Sequence, residues 1–147
     1  GMMSYALACY KSNLIAAIGS VSGYMLQSTS SVSESECTPS HSIPLIKLHG
    51  TTDYYDGEGV YNSVDSVLNF WVSFNNTNTD PIINNIDDNG TSITSYKYEN
   101  GDNNVSVEHY KIIGGEHVWF NNDFNGKNTG QLIWNFVSKY DIDGLIE

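Results

Sequence analysis

Two short stretches hold residues suited to proton chemistry. Lys47–Asp53, KLHGTTD, sets an Asp just past an apolar run, and Gly114–Phe120, GGEHVWF, sets a His just past another. A carboxylate that accepts the Nδ1 proton of an imidazole fixes its tautomer and makes Nε2 the basic nitrogen. That pairing activates a serine hydroxyl, so Asp53 and His117 are read as the acid and base of a Ser-Asp-His triad. The competing readings are a loop Asp in an Asx-turn and a surface His. His49 reads as structural, hydrogen-bonding the acid loop, and His41 and His109 as plain surface or strand residues. His49, Asp53, Glu116 and His117 are acceptable metal-ligand types, but their spacing matches no short metal motif. No metal and no cofactor are expected.

Positioning that pair requires strands whose ends lie together. Leu45–His49 is an apolar strand directly before the Asp53 loop, and Leu14–Ser22 is an almost uninterrupted apolar run of the kind buried on both faces of a parallel sheet. Met2–Lys11 carries a helical apolar stripe, and Val60–Asn75 places Val60, Val64, Val67, Leu68, Trp71 and Val72 on one face. Asn76–Asn89 reads as a polar loop. Thr91–Glu99 and Asn104–Ile113 alternate and flank NGDN, a hairpin signal. Thr129–Tyr140 reads as the last helix, and the residues after it as a tail. Strands separated by helices imply an α/β fold with parallel pairing through right-handed crossovers. Ligands of such sheets bind beyond the carboxyl ends of the strands, where Asp53 and His117 both fall.

The chain of 147 residues is long enough for a single domain, and 39% hydrophobic residues can fill a core. Six Lys and Arg stand against seventeen Asp and Glu, a net charge of −11. That field repels phosphate, so neither nucleic acid nor an anionic membrane is an expected partner. No apolar run approaches the roughly 20 residues of a membrane span. Cys9 and Cys37 lack metal spacing, which leaves two free thiols or one disulfide.

HG-T-x-D after one strand, followed by GG-x-H-x-W after another, resembles the C-terminal half of the α/β-hydrolase fold. More narrowly, it resembles the polyhydroxybutyrate depolymerase and feruloyl esterase group of secreted serine esterases. GMMSYALAC is similar to the helix after that group's nucleophile elbow, and AAIGSVSG to the next strand. CTPSHSIPLIKLHGTTD is similar to its Cys-containing loop, strand and acid turn. SVDSVLNFWVSFNN, YKIIGGEHVWF and IWNFVSKYD match the following helix, the histidine turn and the last helix, so the likeness runs along nearly the whole chain. It implies a partial α/β-hydrolase fold with about three parallel strands, a hairpin strand and flanking helices. It also implies carboxylic-ester hydrolysis, an ester substrate of small or polymeric type, and an extracellular or periplasmic location. Tyr54 and Tyr55, after the acid, and Trp119, after the base, become candidate walls of a substrate pocket. Asp56 stands at a less typical distance from the strand than Asp53.

No G-x-S-x-G occurs in the sequence. GSVSG at Gly19–Gly23 has the wrong spacing, and no helix directly follows it. Ser20 and Ser22 are weak substitutes. The nucleophile and the oxyanion donors are therefore expected upstream of Gly1, and the chain alone is expected to be inactive. The alternative is a degenerate hydrolase-like domain that binds or oligomerises without catalysis. Either way, the strand Leu14–Ser22 would present an open, apolar edge, and a homodimer through that edge is expected.

Overall fold

The computed structural model describes residues 1–25, 36–53 and 63–146. The chain forms a mixed five-stranded sheet covered by helices on both faces. Its elements are α1 (Met2–Tyr10), β1 (Ile18–Val21), β2 (Leu45–Gly50), α2 (Val64–Phe74), β3 (Ile82–Asp88), β4 (Thr91–Tyr98), β5 (Val107–Ile112) and α3 (Thr129–Val137). A small ribbon, β6 (Tyr140–Asp141) and β7 (Gly144–Leu145), follows. The strand order is β1-β2-β5-β4-β3. β1, β2 and β5 run parallel, while β4 and β3 are antiparallel additions on the far side of β5. This agrees with an α/β class. No helix among the described residues is long and apolar enough to cross a membrane.

β2 is the central strand of the parallel part, and all six of its residues are buried. Successive side chains leave a strand on opposite faces. Leu45 packs with Tyr5, Ala8 and Cys9 of α1 and with Val67, Leu68 and Trp71 of α2. Ile46 and Leu48 pack on the other face with Phe120, Phe124, Leu132 and Phe136. Two apolar cores result, one on each side of the sheet. The helices are fixed at their starts. Ser63 caps α2 by accepting from the Ser66 amide, and Asn128 with Gln131 forms a capping box on α3. Cys9 and Cys37 form a disulfide that ties α1 to the segment leading into β2.

Four expectations need correction. The strand expected over Leu14–Ser22 is only Ile18–Val21, because the chain leaves α1 through a 3-10 turn at Ser12–Leu14. β1 is an outer strand, but a short one. The polar loop expected over Asn76–Asn89 contains β3. Only Ile86 of that strand is buried, so the alternation that marks a half-buried strand is lacking. Asn89 and Gly90 both have positive φ and close the β3–β4 hairpin, as a two-residue type I′ turn requires. The NGDN segment does not by itself close the hairpin. β4 and β5 do pair antiparallel, but the connection runs through a further turn at Asp102–Asn104 before Val107 meets Tyr98. The C-terminal residues form the β6–β7 ribbon in place of a loose tail, with α3 ending at Val137. Val60, Tyr54, Tyr55 and Asp56 lie outside the described residues.

Candidate functional site

The carboxyl ends of β1, β2 and β5 lie side by side because the three strands are parallel and adjacent. The loop after β2 carries Asp53 and the loop after β5 carries His117. Backbone and side-chain bonds join the two loops. The Thr51 amide donates to the Ile112 carbonyl, and the Thr52 amide donates to the Gly115 carbonyl. Thr51 Oγ1 accepts from the Gly114 amide, and Thr52 Oγ1 donates to the Gly114 and Gly115 carbonyls. Glycine is needed at Gly50 and Gly115 because the two backbones touch there.

These ties bring Asp53 and His117 together. His117 Nδ1 stands 3.2 Å from Asp53 Oδ1 and 3.1 Å from Oδ2. The Asp53 side chain is fully buried, while 54% of the His117 side chain is exposed. Nδ1 donates to the carboxylate, so Nε2 is the basic nitrogen of the neutral ring. Tyr24 braces the pair. Its hydroxyl donates to the Asp53 carbonyl at 2.8 Å, and its ring lies parallel to His117 at a centroid distance of 6.4 Å. The same ring meets His49 edge-on at 4.8 Å. Ser22 Oγ donates to the Val118 carbonyl, which ties the end of β1 to the His117 loop.

Behind Asp53 the site continues into the core. His49 Nε2 is 3.2 Å from Asp53 Oδ2, but off the N–H axis, so the contact is electrostatic and not a hydrogen bond. His49 Nδ1 is 3.2 Å from Lys47 Nζ. Lys47 has no exposed surface. Its Nζ donates to the Gly23 carbonyl at 2.6 Å and to the Tyr5 hydroxyl at 3.3 Å. Burial pushes the lysine down to about 7, against the opposing pull of Asp53. His49 falls to about 2, chiefly through burial and then through the Lys47 charge. His109, opposite Lys47 in the sheet, falls to about 3 for the same two reasons, and its Nδ1 donates to the Lys47 carbonyl.

Neither a family model nor a curated protein matches this chain.

Of the residues singled out from sequence, Asp53 and His117 meet at one site. His49 stands beside the acid, but the hydrogen bond to the acid loop expected of it is not made, because its Nε2 meets Asp53 Oδ2 off axis. Trp119 is exposed and lines a shallow groove with Thr91, Ile113, Val118 and Asn122, a lining that includes neither Asp53 nor His117. Tyr54 lies outside the described residues. Ser20 is fully buried, and Ser22 is committed to the Val118 carbonyl. Among the described residues no group of three or more His, Cys, Asp or Glu could hold a metal ion.

Three contributors escape motif reading. Tyr24 and the Thr51–Thr52 pair carry no chemical signature in sequence. Lys47 does carry one. A lysine between Ile46 and Leu48 in an otherwise apolar strand must be buried with partners, since a central parallel strand has no solvent face.

Proposed function

We propose that Asp53 and His117 are the acid and base of a carboxylic-ester hydrolase of the serine type. The observation that carries this reading is the approach of His117 Nδ1 to both oxygens of a fully buried carboxylate, at the shared carboxyl edge of two parallel strands. A buried carboxylate holds the imidazole in one tautomer and stabilises the imidazolium formed when a hydroxyl gives up its proton. The ring's exposure lets that hydroxyl approach from solvent or from substrate. Neither Ser20, which is buried, nor Ser22, which donates to the Val118 carbonyl, is the nucleophile of this reading. Gly1 packs on Gly23 just past β1, and therefore lies at the same edge. The resemblance to depolymerases and feruloyl esterases carries the ester class.

The test is to read the native coding sequence adjoining Gly1 and to assay its product on short-chain p-nitrophenyl esters. An in-frame G-x-S-x-G is expected. His117→Ala and Asp53→Asn are each expected to lower kcat by about 10³- to 10⁴-fold. Hydrolysis unchanged in both variants would reject the reading.

A second reading is an oligomerising domain without catalysis. It is favoured by β1 being an outer strand and by the exposure of Met3, Leu7, Tyr10 and Leu14 in α1 and the turn that precedes β1. Its occupant would be a second copy, pairing edge to edge. Light scattering at micromolar concentration decides it, and a clean monomer removes it.

A further inference from the structure

Lys47 and His49 occupy the same face of β2, two residues apart, and point from the core toward its carboxyl edge. Together with Asp53 and His117 they form a continuous file. The steps are 3.2 Å from Lys47 Nζ to His49 Nδ1, 3.2 Å from His49 Nε2 to Asp53 Oδ2, and 3.1 Å from Oδ2 to His117 Nδ1. Only the last ring reaches solvent; the other three side chains are buried. We infer that Lys47 and His49 are positioning residues, with Lys47 holding His49 as the Nε2–H tautomer and His49 seating the Asp53 carboxylate from its inner side so that it faces His117.

The tautomer follows from charge. With the proton on Nε2, the positive N–H group lies near the carboxylate, though off its axis, and Nδ1 accepts from Lys47. With the proton on Nδ1, the electron-rich Nε2 would stand 3.2 Å from a buried anion, and the Nδ1–H would oppose the Lys47 donor. That repulsion in a low-dielectric interior is costly. Lys47 serves in either protonation state. As an ammonium it donates to the Gly23 carbonyl, the Tyr5 hydroxyl and His49. As an amine it donates to the Gly23 carbonyl and His49, and accepts from Tyr5. The charged and titratable groups around this file are Tyr5 from α1, His109 from β5, and His117 from its loop. Misplacement of a catalytic group by about 1 Å can cost about a hundredfold in rate, so what holds Asp53 from its inner side bears on turnover.

The inference rests on the Asp53–His117 pair being the acid and base of the site. Its test reads ring nitrogens directly in the 15N-labelled 147-residue chain, by long-range proton–nitrogen correlation. His49 is expected as the Nε2–H tautomer from about pH 5 to 8. The His117 Nδ1 proton is expected as a strongly deshielded signal. That signal should be lost in Lys47→Met and in His49→Leu, and retained in His49→Gln, which keeps an N–H donor toward Asp53. His49 found as the Nδ1–H tautomer would overturn the inference, even if no variant folds. So would an unchanged His117 signal in His49→Leu. In the ester-hydrolysing form, His49→Leu is expected to lower kcat about tenfold at constant KM, with Gln restoring it. The base-pair reading fails separately, through an inert His117→Ala, and that result leaves the tautomer measurement standing.

Discussion

Gly50 and Gly115 lie so close that a methyl group on Gly50 would overlap the Gly115 carbonyl. This contact joins the loop of the acid to the loop of the base. A Cβ on Gly115 would in turn press on Phe120 at 2.9 Å and on Ile112 at 3.1 Å. Gly50→Ala must therefore part the two loops. The expected cost is about 1–3 kcal/mol of stability, as for other overpacked sites. Loss of the His117 Nδ1 proton signal should accompany it. Gly130→Ala is the control. In the first turn of α3 its Cβ would meet only Asn128 Oδ1, at 3.4 Å, and helix propensity should add up to about 1 kcal/mol. Urea midpoints of the two variants check both signs.

The Cys9–Cys37 bridge closes a loop with a sequence separation of 28. Cys9 is buried in α1 against the core shared with α2 and β2, so the bridge also fixes where that helix sits. In the chain-entropy account such a loop contributes about 3–4 kcal/mol through the unfolded state. Replacing both cysteines by serine should lower the urea midpoint correspondingly, and dithiothreitol should reproduce the effect in the unchanged chain. A midpoint insensitive to both would mean that the unfolded chain is already compact around this loop.

The strand before the acid turn, Leu45–His49, was legible as an apolar run ending in a polar turn, and the strand before the base turn by its alternation. β3 was not legible, because Ile82 and Ile83 lie exposed and only Ile86 is buried. An outer strand held mainly by its backbone ladder writes little into side-chain pattern. The Asn89–Gly90 step was its one available signal. At the site, Asp53 and His117 could be read because proton chemistry restricts residue type. Tyr24 could not, because bracing a ring is within reach of many side chains and only the chain path brings it there. Lys47 and His49 sit between these cases. Their alternation in β2 places them on one face, but nothing in the letters says that this face ends at Asp53.

Asn75, just past α2, is fully buried and clamps the residue that leads into β2. Its Nδ2 donates to the Ile43 carbonyl at 2.7 Å, and its Oδ1 accepts from the Ile43 amide at 2.8 Å. The pair does for the entry to β2 what a neighbouring strand would do. Asn75→Ala leaves both backbone groups buried without those partners, at a cost of about 2–4 kcal/mol. Asn75→Asp keeps the acceptor but replaces the Nδ2 donor with a carboxylate oxygen facing the Ile43 carbonyl, and should be at least as damaging. Thermal or urea unfolding of the two variants measures this. A loss below about 0.5 kcal/mol in Asn75→Ala would mean that water enters and replaces the clamp.

Three buried bases set the pH dependence of stability. Burial lowers Lys47 from its ordinary 10.5 to about 7, and lowers His49 and His109 from 6.5 to about 2 and about 3. Each is harder to protonate in the folded chain than in the unfolded one. Between pH 3 and 6.5 the unfolded chain carries imidazolium protons that the folded chain lacks, and between 7 and 10.5 it carries a lysine proton that the folded chain lacks. The unfolded state binds more protons in both windows, so stability rises with pH through each. Glu108, raised above its ordinary value by burial, opposes the trend just above that value. The urea midpoint is expected to climb on leaving acid and to climb again on the alkaline side of neutrality. Lys47→Met should abolish the second climb and leave the first. His109→Gln should shrink the first and leave the second. A wild-type profile flat above neutrality would show that Lys47 keeps its proton in the folded chain, held there by the Asp53 charge.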